Sequence, residues 1–235
     1  MFLNINKFEK EVKRQYKDKS ITIGMVYDKN EETDMLMLWA GIWAVYISSK
    51  YLSNKIKALV VELLGDMPKP GQIFEVSKQD PTPQLQIFHP MYVRRLDERW
   101  EATNKLVPTN ILLEDSAVLR LFQDFTSKDI LQFDDNLLSM IDQYEIDIET
   151  ESMPTGPCRK ADDMSLAYWH NEVGTVIIAP RKSKNKDIIE ALKVVSFKEK
   201  ESKEATADAG KENTEYDEQQ IDEVSSGPAE DDSEG

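Results

Sequence analysis

The chain has 235 residues but only one cysteine, two histidines and no long hydrophobic run. The lone Cys158 excludes an internal disulfide framework and a cysteine-based zinc cluster. His89 and His170 are too few for a histidine-rich metal site, so we expect neither a metal nor a cofactor. No apolar segment approaches the roughly 18–20 residues of a membrane-spanning helix. The first residues also lack the basic and apolar segments of a secretory signal, so the expected location is the cytoplasm.

Motifs of common enzyme classes are also missing. The sequence has no Gly-x-x-x-x-Gly-Lys-Ser/Thr phosphate loop, no Gly-x-Gly-x-x-Gly segment and no Gly-x-Ser-x-Gly nucleophile motif. The triplet His170-Asn171-Glu172 could suggest a nuclease, but a hairpin turn between two strands explains it better. We therefore predict that the protein is not an enzyme and that it has no catalytic residues.

Acidic residues are unevenly distributed along the chain. The sequence contains 29 Lys and Arg against 44 Asp and Glu, a formal net charge of −15. Residues 198–235 carry 14 acidic and four basic side chains, which leaves a net charge of only −5 on residues 1–197. Since this segment has too few apolar residues to form a core, we predict a disordered acidic tail over residues 197–235. Such a tail either keeps the protein soluble or mimics nucleic acid by competing for a basic surface.

Alternating and helical patterns predict an α+β fold of two similar domains, each a mostly antiparallel sheet with helices on one face. The predicted domains are residues 1–78 and 85–196, joined by a proline-containing linker at 79–84. In the first half we expect strands at 2–5, 21–27, 35–39, 43–47 and 73–76, with helices that begin at the Asn6 cap and at Tyr51. In the second half we expect strands at 85–88, 111–113, 118–122, 130–133, 144–149, 164–169 and 175–179, with helices from Pro90 and Asn136.

One segment of the first half aligns with one of the second. Residues 45–53 align with residues 131–139. Apolar residues occupy matching positions in the two segments, and both are predicted to change from strand to helix at the same point. Residues 36–39 similarly parallel residues 119–122. The agreement predicts an internal duplication.

The second half contains a strand-to-helix transition at residues 133–141, an alternating strand at 145–149, a loop at Pro154 or Pro157 and the terminal strand Val176-Ile177-Ile178-Ala179-Pro180-Arg181. The resemblance is to the last domain of a bacterial β-type DNA sliding clamp, or more broadly to a clamp like proliferating-cell nuclear antigen. It implies a non-enzymatic replication or repair processivity factor that encircles double-stranded DNA. Two domains per chain imply a homotrimer, because such a ring has six. The family's groove for short linear motifs would have Ile178, Ala179, Pro180 and Arg181 as one wall.

A ring that slides on DNA needs cations on the helices facing its hole and no readout of base sequence. One basic helix occurs at the start of each half. The predicted DNA-binding residues are Lys7, Lys10, Lys13, Arg14, Lys17, Lys55 and Lys57 in the first half, and Arg94, Arg95, Arg99 and Lys105 in the second. Interspersed acidic residues leave a solvated helix face as the simpler interpretation. The alternative function is an acidic protein-interaction module or inhibitor that does not bind DNA.

Overall fold

The computed structural model describes residues 1–142, 146, 151–161, 166–182 and 185–197. In the first half it contains α1 (Ile5–Asp18), β1 (Ile21–Asp28), β2 (Thr33–Trp39), β3 (Trp43–Ser48), α2 (Asn54–Leu64), β4 (Ile73–Val76) and β5 (Gln84–Leu85). In the second half it contains α3 (Met91–Asp97), β6 (Asn104–Glu114), β7 (Val118–Asp124), β8 (Ile130–Asp134), α4 (Asp135–Leu138), β9 (Thr155–Arg159), β10 (Ala167–His170), β11 (Gly174–Ile178) and α5 (Lys186–Lys193). The predicted α+β class with a mostly antiparallel sheet is confirmed. No helix in these ranges is long and apolar enough to cross a bilayer.

All eleven strands of the described residues belong to one sheet, in the order β5-β4-β1-β2-β3-β11-β10-β9-β6-β7-β8. The same five-strand arrangement therefore occurs twice. In each half a three-strand meander is followed by a helix, and the next strand returns to pair with the first strand of the meander. β11 lies between the two copies and pairs with β3 on one side and β10 on the other.

The strand pairing corrects the internal alignment by one residue. If β3 is placed on β8 with Val45 over Leu131, the cross-strand partners put Leu38 over Phe122. The sequence alignment had instead placed Trp39 over Phe122. A slip of one residue moves a strand's side chains to the opposite face, and Leu38 and Phe122 indeed share the same core.

Helices cover both faces of the sheet, contrary to the predicted arrangement on one face. α1, α2 and α4 pack on a core that includes Phe8, Ile56 and Leu137. α3 packs on the other face, where Leu96 meets Tyr46 and Tyr168. Along β3, alternate side chains serve the two cores, as the strand period of two requires.

Local chemistry explains where the first two helices begin and end. α1 begins at Ile5 because the side chain of Asn4, not of Asn6, accepts a hydrogen bond from the Lys7 N–H at 3.1 Å. The strand expected at residues 2–5 is reduced to a single bridge between Leu3 and Ile141. α2 begins after the cap Ser53 and ends at Gly65, whose φ of 83° places it in the left-handed region.

Several elements of the second half differ from the prediction. Residues 104–114 form one long strand, so Lys105 lies on β6 rather than on a helix. α4 spans only Asp135–Leu138, and Cys158 lies in β9 rather than in a loop. β5 pairs with β4, so the chain directly after the predicted linker still extends the first half of the sheet. The strand expected at 144–149 and the tail beyond 197 lie outside the described residues.

The chain after β11 brings the far edge of the sheet back to its centre. The Ala179 N–H donates to the Ile42 carbonyl at 2.9 Å, and the Arg181 N–H donates to the Gln132 carbonyl at 2.7 Å. Since Ile42 precedes β3 and Gln132 lies on the edge strand β8, the second half of the sheet must curl strongly. This segment also forms part of a surface groove.

Candidate protein-binding groove and cationic helix surface

A groove of about 570 Å³ opens on the α3 side of the sheet, where β2 and β11 end and β3 begins. We call it the β11 groove. Its lining residues are Trp39, Gly41, Ile42, Trp43, Ala44, Met91, Arg95, Leu166, Ile177, Ala179, Pro180, Arg181 and Lys182. Ile42 and Met91 are 39% and 41% exposed, respectively, so two large apolar side chains of this groove are open to a ligand. An apolar floor with a few polar groups at its rim is typical of a site that binds a peptide or small ligand.

The Ala179–Arg181 wall of the groove is held by bonds at both of its ends. Besides the backbone hydrogen bonds donated by the Ala179 and Arg181 N–H groups, the Arg181 guanidinium donates to the Asp134 carboxylate at 2.9 Å. Asp134 is itself fixed, because its other carboxylate oxygen accepts the Asn136 N–H at 3.0 Å. Pro180, between two hydrogen-bonded residues, has no N–H of its own to satisfy. The wall is therefore preorganised for a ligand.

The opposite wall depends on how α3 sits against the sheet. The Tyr46 hydroxyl, buried between the sheet and α3, donates to the Tyr92 carbonyl at 2.7 Å. The Tyr92 ring meets the Trp39 ring edge to face, with centroids 5.5 Å apart. These contacts place Met91 at the rim of the groove. Burial raises the pKa of Tyr46 well above its ordinary value, so the hydroxyl keeps its proton and remains a donor.

Arg95, the third cation of the groove, is anchored by a buried carboxylate. Its guanidinium donates to Glu98 at 2.5 Å, and the Tyr168 hydroxyl donates to the same carboxylate at 3.0 Å. Burial alone would raise the pKa of Glu98, but hydrogen bonds from Arg95, Tyr168 and Arg94 lower it overall. Glu98 therefore stays ionised and holds the Arg95 side chain in one orientation.

Three of the four residues predicted to bind partners do line the β11 groove. They are Ala179, Pro180 and Arg181. Ile178 does not, because its side chain is fully buried in the core beneath α1 and α2. The alternation of side chains along β11 explains this difference, since Ile177 faces the groove and Ile178 the other side.

The predicted DNA-binding residues of the first half lie on the exposed sides of α1 and α2. Lys7, Lys10, Lys17 and Lys57 are exposed, and none of the four forms an ion pair with a described residue. The others are partly neutralised by acidic neighbours. Lys13 pairs with Glu9 and Glu62, Lys55 pairs with Glu9, and Arg14 makes two hydrogen bonds to Glu11. We call this the α1–α2 lysine surface.

The predicted cations of the second half do not join this surface. Arg94 is exposed but lies on α3, on the opposite side of the sheet, and pairs with Glu98 at 3.1 Å. Arg95 points into the groove, and Arg99 is buried against the Asp28 carboxylate. Lys105 lies on β6. The expectation that two basic helices face a common polyanion is therefore not met, because α1 and α3 cover different faces.

The residues considered for catalysis show no arrangement that would support it. His170 packs on the Trp100 ring, with centroids 5.1 Å apart, and burial together with the charge of Arg99 lowers its pKa. Cys158 is buried in β9, and burial raises the pKa of its thiol. Across the described part of the chain, no group of three or more His, Cys, Asp and Glu side chains could hold a metal ion.

Sequence reasoning missed most of the groove floor. Trp39 falls in a predicted strand and Met91 in a predicted helix, Ile42 falls between two predicted strands, and none of the three is predicted at a site. Gly41 was the available signal, because it interrupts an apolar run and has a φ of 76° that turns the chain between β2 and β3. Its position next to α3 and the terminal strand depends on tertiary packing alone.

Comparison with known proteins identifies no relative of this chain. No protein-family model, no curated protein and no solved structure matches the chain. Its function must therefore be argued from the groove, the lysine surface and the duplicated strand order.

Proposed function

We propose that this chain is a non-enzymatic, DNA-clamp-like tether that holds partner proteins near double-stranded DNA. The observation that carries the proposal is the β11 groove, whose wall is formed by Ala179, Pro180 and Arg181. These are three of the four residues at which the resemblance to sliding clamps implied a site for short linear motifs. The groove is apolar, preorganised and rimmed by cations, as such a site requires.

The duplicated strand order supports the same proposal. Each chain holds two copies of the five-strand arrangement, and the proposal takes each copy as one clamp-like unit. A ring of six units then takes three chains. The groove and the lysine surface lie on opposite sides of the sheet, so a partner held in the groove would not block DNA on the other side.

DNA would contact the α1–α2 lysine surface through its phosphates. Lys7, Lys10, Lys17 and Lys57 have the exposure that non-specific phosphate contacts need. The arginines of α3 take no part in this contact, because they lie on the groove side. The DNA contact therefore rests on fewer cations than the sequence suggested, and its affinity should be weak and sensitive to salt.

Binding to a fluorescent 30-base-pair duplex tests the DNA contact. The variant with Lys7, Lys10 and Lys17 all changed to Gln removes three cations from the lysine surface. If all three contact phosphates, the slope of log K against log salt should fall by about 0.9 per lysine. The matched control changes Lys29, Lys69 and Lys128 to Gln, which alters the net charge equally at sites off this surface. Equal slopes for the two triple variants would refute the assigned surface.

Light scattering after size exclusion tests the ring. A mass of three chains at micromolar concentration is the expected result, and a monomer would count against a closed ring.

The second candidate function is an acidic interaction module that uses the same groove without DNA. The ion pairs that neutralise Lys13, Lys55 and Arg14 favour it, as does the net charge of −15. Absence of duplex binding at 50 mM salt, where phosphate contacts are strong, would select this candidate.

A further inference from the structure

The two edges of the sheet differ in how they are covered. At β8 the sheet is closed, because every residue of this strand is buried and the Gln132 carbonyl accepts the Arg181 N–H at 2.7 Å. β5 forms the opposite edge and pairs only with β4. No other strand in the described part of the chain lies beside it. One edge of the sheet is therefore open to a further strand.

The backbone at β5 presents unused hydrogen-bonding groups on its outer side. The Gln86 N–H donates to the Ile73 carbonyl at 2.8 Å, so Gln86 turns its polar backbone groups towards β4. Because this direction alternates along an antiparallel ladder, the N–H and C=O groups of Leu85 and Ile87 point away from β4. Outside the pairing with β4, no described residue forms a hydrogen bond to either of them. Another extended backbone would satisfy these groups.

The side chains of the same residues are apolar and exposed. Ile87 is 93% exposed, Leu85 66% and Phe88 43%. Residues 84–89 include no Lys, Arg, Asp or Glu, although 31% of the chain is charged and such charges commonly protect an edge strand from pairing. Pro83, which has no N–H, limits the open edge on its N-terminal side. We call residues 84–88 the β5 edge.

We propose that the β5 edge binds an extended segment of a partner protein by strand addition. The segment carries apolar side chains at alternate positions, because Leu85 and Ile87 lie on one face of the edge and the two glutamines on the other. Its backbone groups at the apolar positions bond to those of Leu85 and Ile87. This site is separate from the β11 groove and gives the chain a second place to hold a partner.

A second copy of the chain suits the β5 edge less well. Strand β8 of another copy cannot add there, because the segment that contains Arg181 occupies its outer side. Two β5 edges paired with each other would bury about five residues a side, whereas a stable interface needs roughly 20–30. Both copies would also carry a net charge of −15, with no charge on residues 84–89 to offset the repulsion. An added segment needs no such area, since its main-chain hydrogen bonds supply affinity.

Peptide binding to the full-length chain, measured by fluorescence anisotropy, tests strand addition. The probe is the labelled and end-capped peptide Lys-Thr-Val-Thr-Ile-Thr-Val-Glu. N-methylation of its Val and Ile residues removes the N–H groups that face the edge, whereas N-methylation of its Thr residues removes those that face solvent. We expect the first change to weaken binding by about tenfold or more, and the second by less than about threefold. Equal effects, or no binding by the unmodified probe, would overturn the inference.

Two lysine substitutions locate the contact on the protein. Ile87→Lys places a charge in the β5 edge and should weaken probe binding by about fivefold or more. Val194→Lys is the matched control, because Val194 is 87% exposed and follows α5, which packs against β8 at the other edge. Both side chains are exposed, so both variants should keep the fold. Equal affinities for the two variants would refute the assigned site.

Amide hydrogen exchange gives a second readout on the unchanged chain. In the free protein the Leu85 and Ile87 amides should exchange faster than the Gln86 amide, because only Gln86 donates to β4. A saturating concentration of the probe should slow exchange at Leu85 and Ile87 by about tenfold or more. Slowing confined to the residues of the β11 groove would contradict the inference.

Light scattering after size exclusion identifies the other possible occupant of the β5 edge. Ile87→Lys and the unchanged chain should have the same mass in the absence of the probe. A lower mass for the variant would show that a second copy occupies the edge, and the inference would then be wrong.

Discussion

Replacing Arg99 with Met should destabilise the fold strongly, although the sequence had predicted this arginine to bind DNA. Arg99 is 3% exposed and its guanidinium contacts the Asp28 carboxylate, which is fully buried. It also donates to the Leu96 carbonyl at 2.8 Å. The substitution leaves the Asp28 carboxylate in the interior without a cationic partner. Removing one member of such a pair costs about 3–5 kcal/mol of unfolding free energy.

Urea denaturation followed by tryptophan fluorescence measures this loss. With a urea dependence of about 2–3 kcal/mol/M, the midpoint should fall by roughly 1–2.5 M. Arg94→Met is the control, because Arg94 is 73% exposed and its ion pair with Glu98 should contribute less than about 1 kcal/mol. The double variant Asp28→Leu with Arg99→Met should recover part of the loss, since it removes the unpaired charge together with its partner.

Two outcomes would refute this reasoning. A midpoint for Arg99→Met equal to that of Arg94→Met would mean that the Asp28 carboxylate is not buried as described. A selective loss of duplex affinity in the folded Arg99→Met protein would restore the arginine to the DNA surface.

Three further predictions concern the fold. The free energy of unfolding should decrease as pH falls below about 6.5, because the pKa of His170 is lowered in the folded chain and the unfolded chain therefore binds a proton more readily than the folded one. His170→Gln should flatten this pH dependence in urea midpoints measured from pH 8 to 5.5. Cys158 should react with a thiol reagent only after denaturant is added, and rapid reaction of the native protein would show that β9 is open. Gly174→Ala should destabilise more than Gly65→Ala in the same denaturation assay, because a Cβ at Gly174 would meet the Tyr46 carbonyl oxygen at 2.3 Å. A Cβ at Gly65 has open space, so that substitution costs only the roughly 1–2 kcal/mol of a left-handed backbone. A smaller loss at Gly174 would contradict this packing.

Sequence patterns predicted those elements whose signals are local. The alternating runs predicted β1, β3 and β11 nearly in full, and the helix expected to begin at the Asn6 cap is α1, which begins at Ile5. They failed where tertiary pairing decides the structure. Residues 104–110 read as the end of a helix and a loop, yet they form the first part of β6 because they pair with β7 and β9.

The candidate site was predictable only in part, for a similar reason. Ala179, Pro180 and Arg181 were found through a resemblance in the terminal strand. The floor opposite them comes from a turn more than 130 residues earlier in the chain, and from α3 on the same face. Cationic composition could not distinguish the buried Arg99 from the exposed Arg94, because the burial of Arg99 depends on Asp28, 71 positions away.

The central position of β11 has a consequence for biosynthesis. β3 ends at Ser48 and remains unpaired on one side until residues 174–178 have been synthesised. At about 5–20 residues per second, ribosomes take roughly 7–26 s to make the intervening 130 residues. During that time the nascent chain displays an apolar edge that invites pairing with other polypeptides. A chaperone that shields Trp43–Ser48 on the ribosome should therefore raise the yield of folded protein.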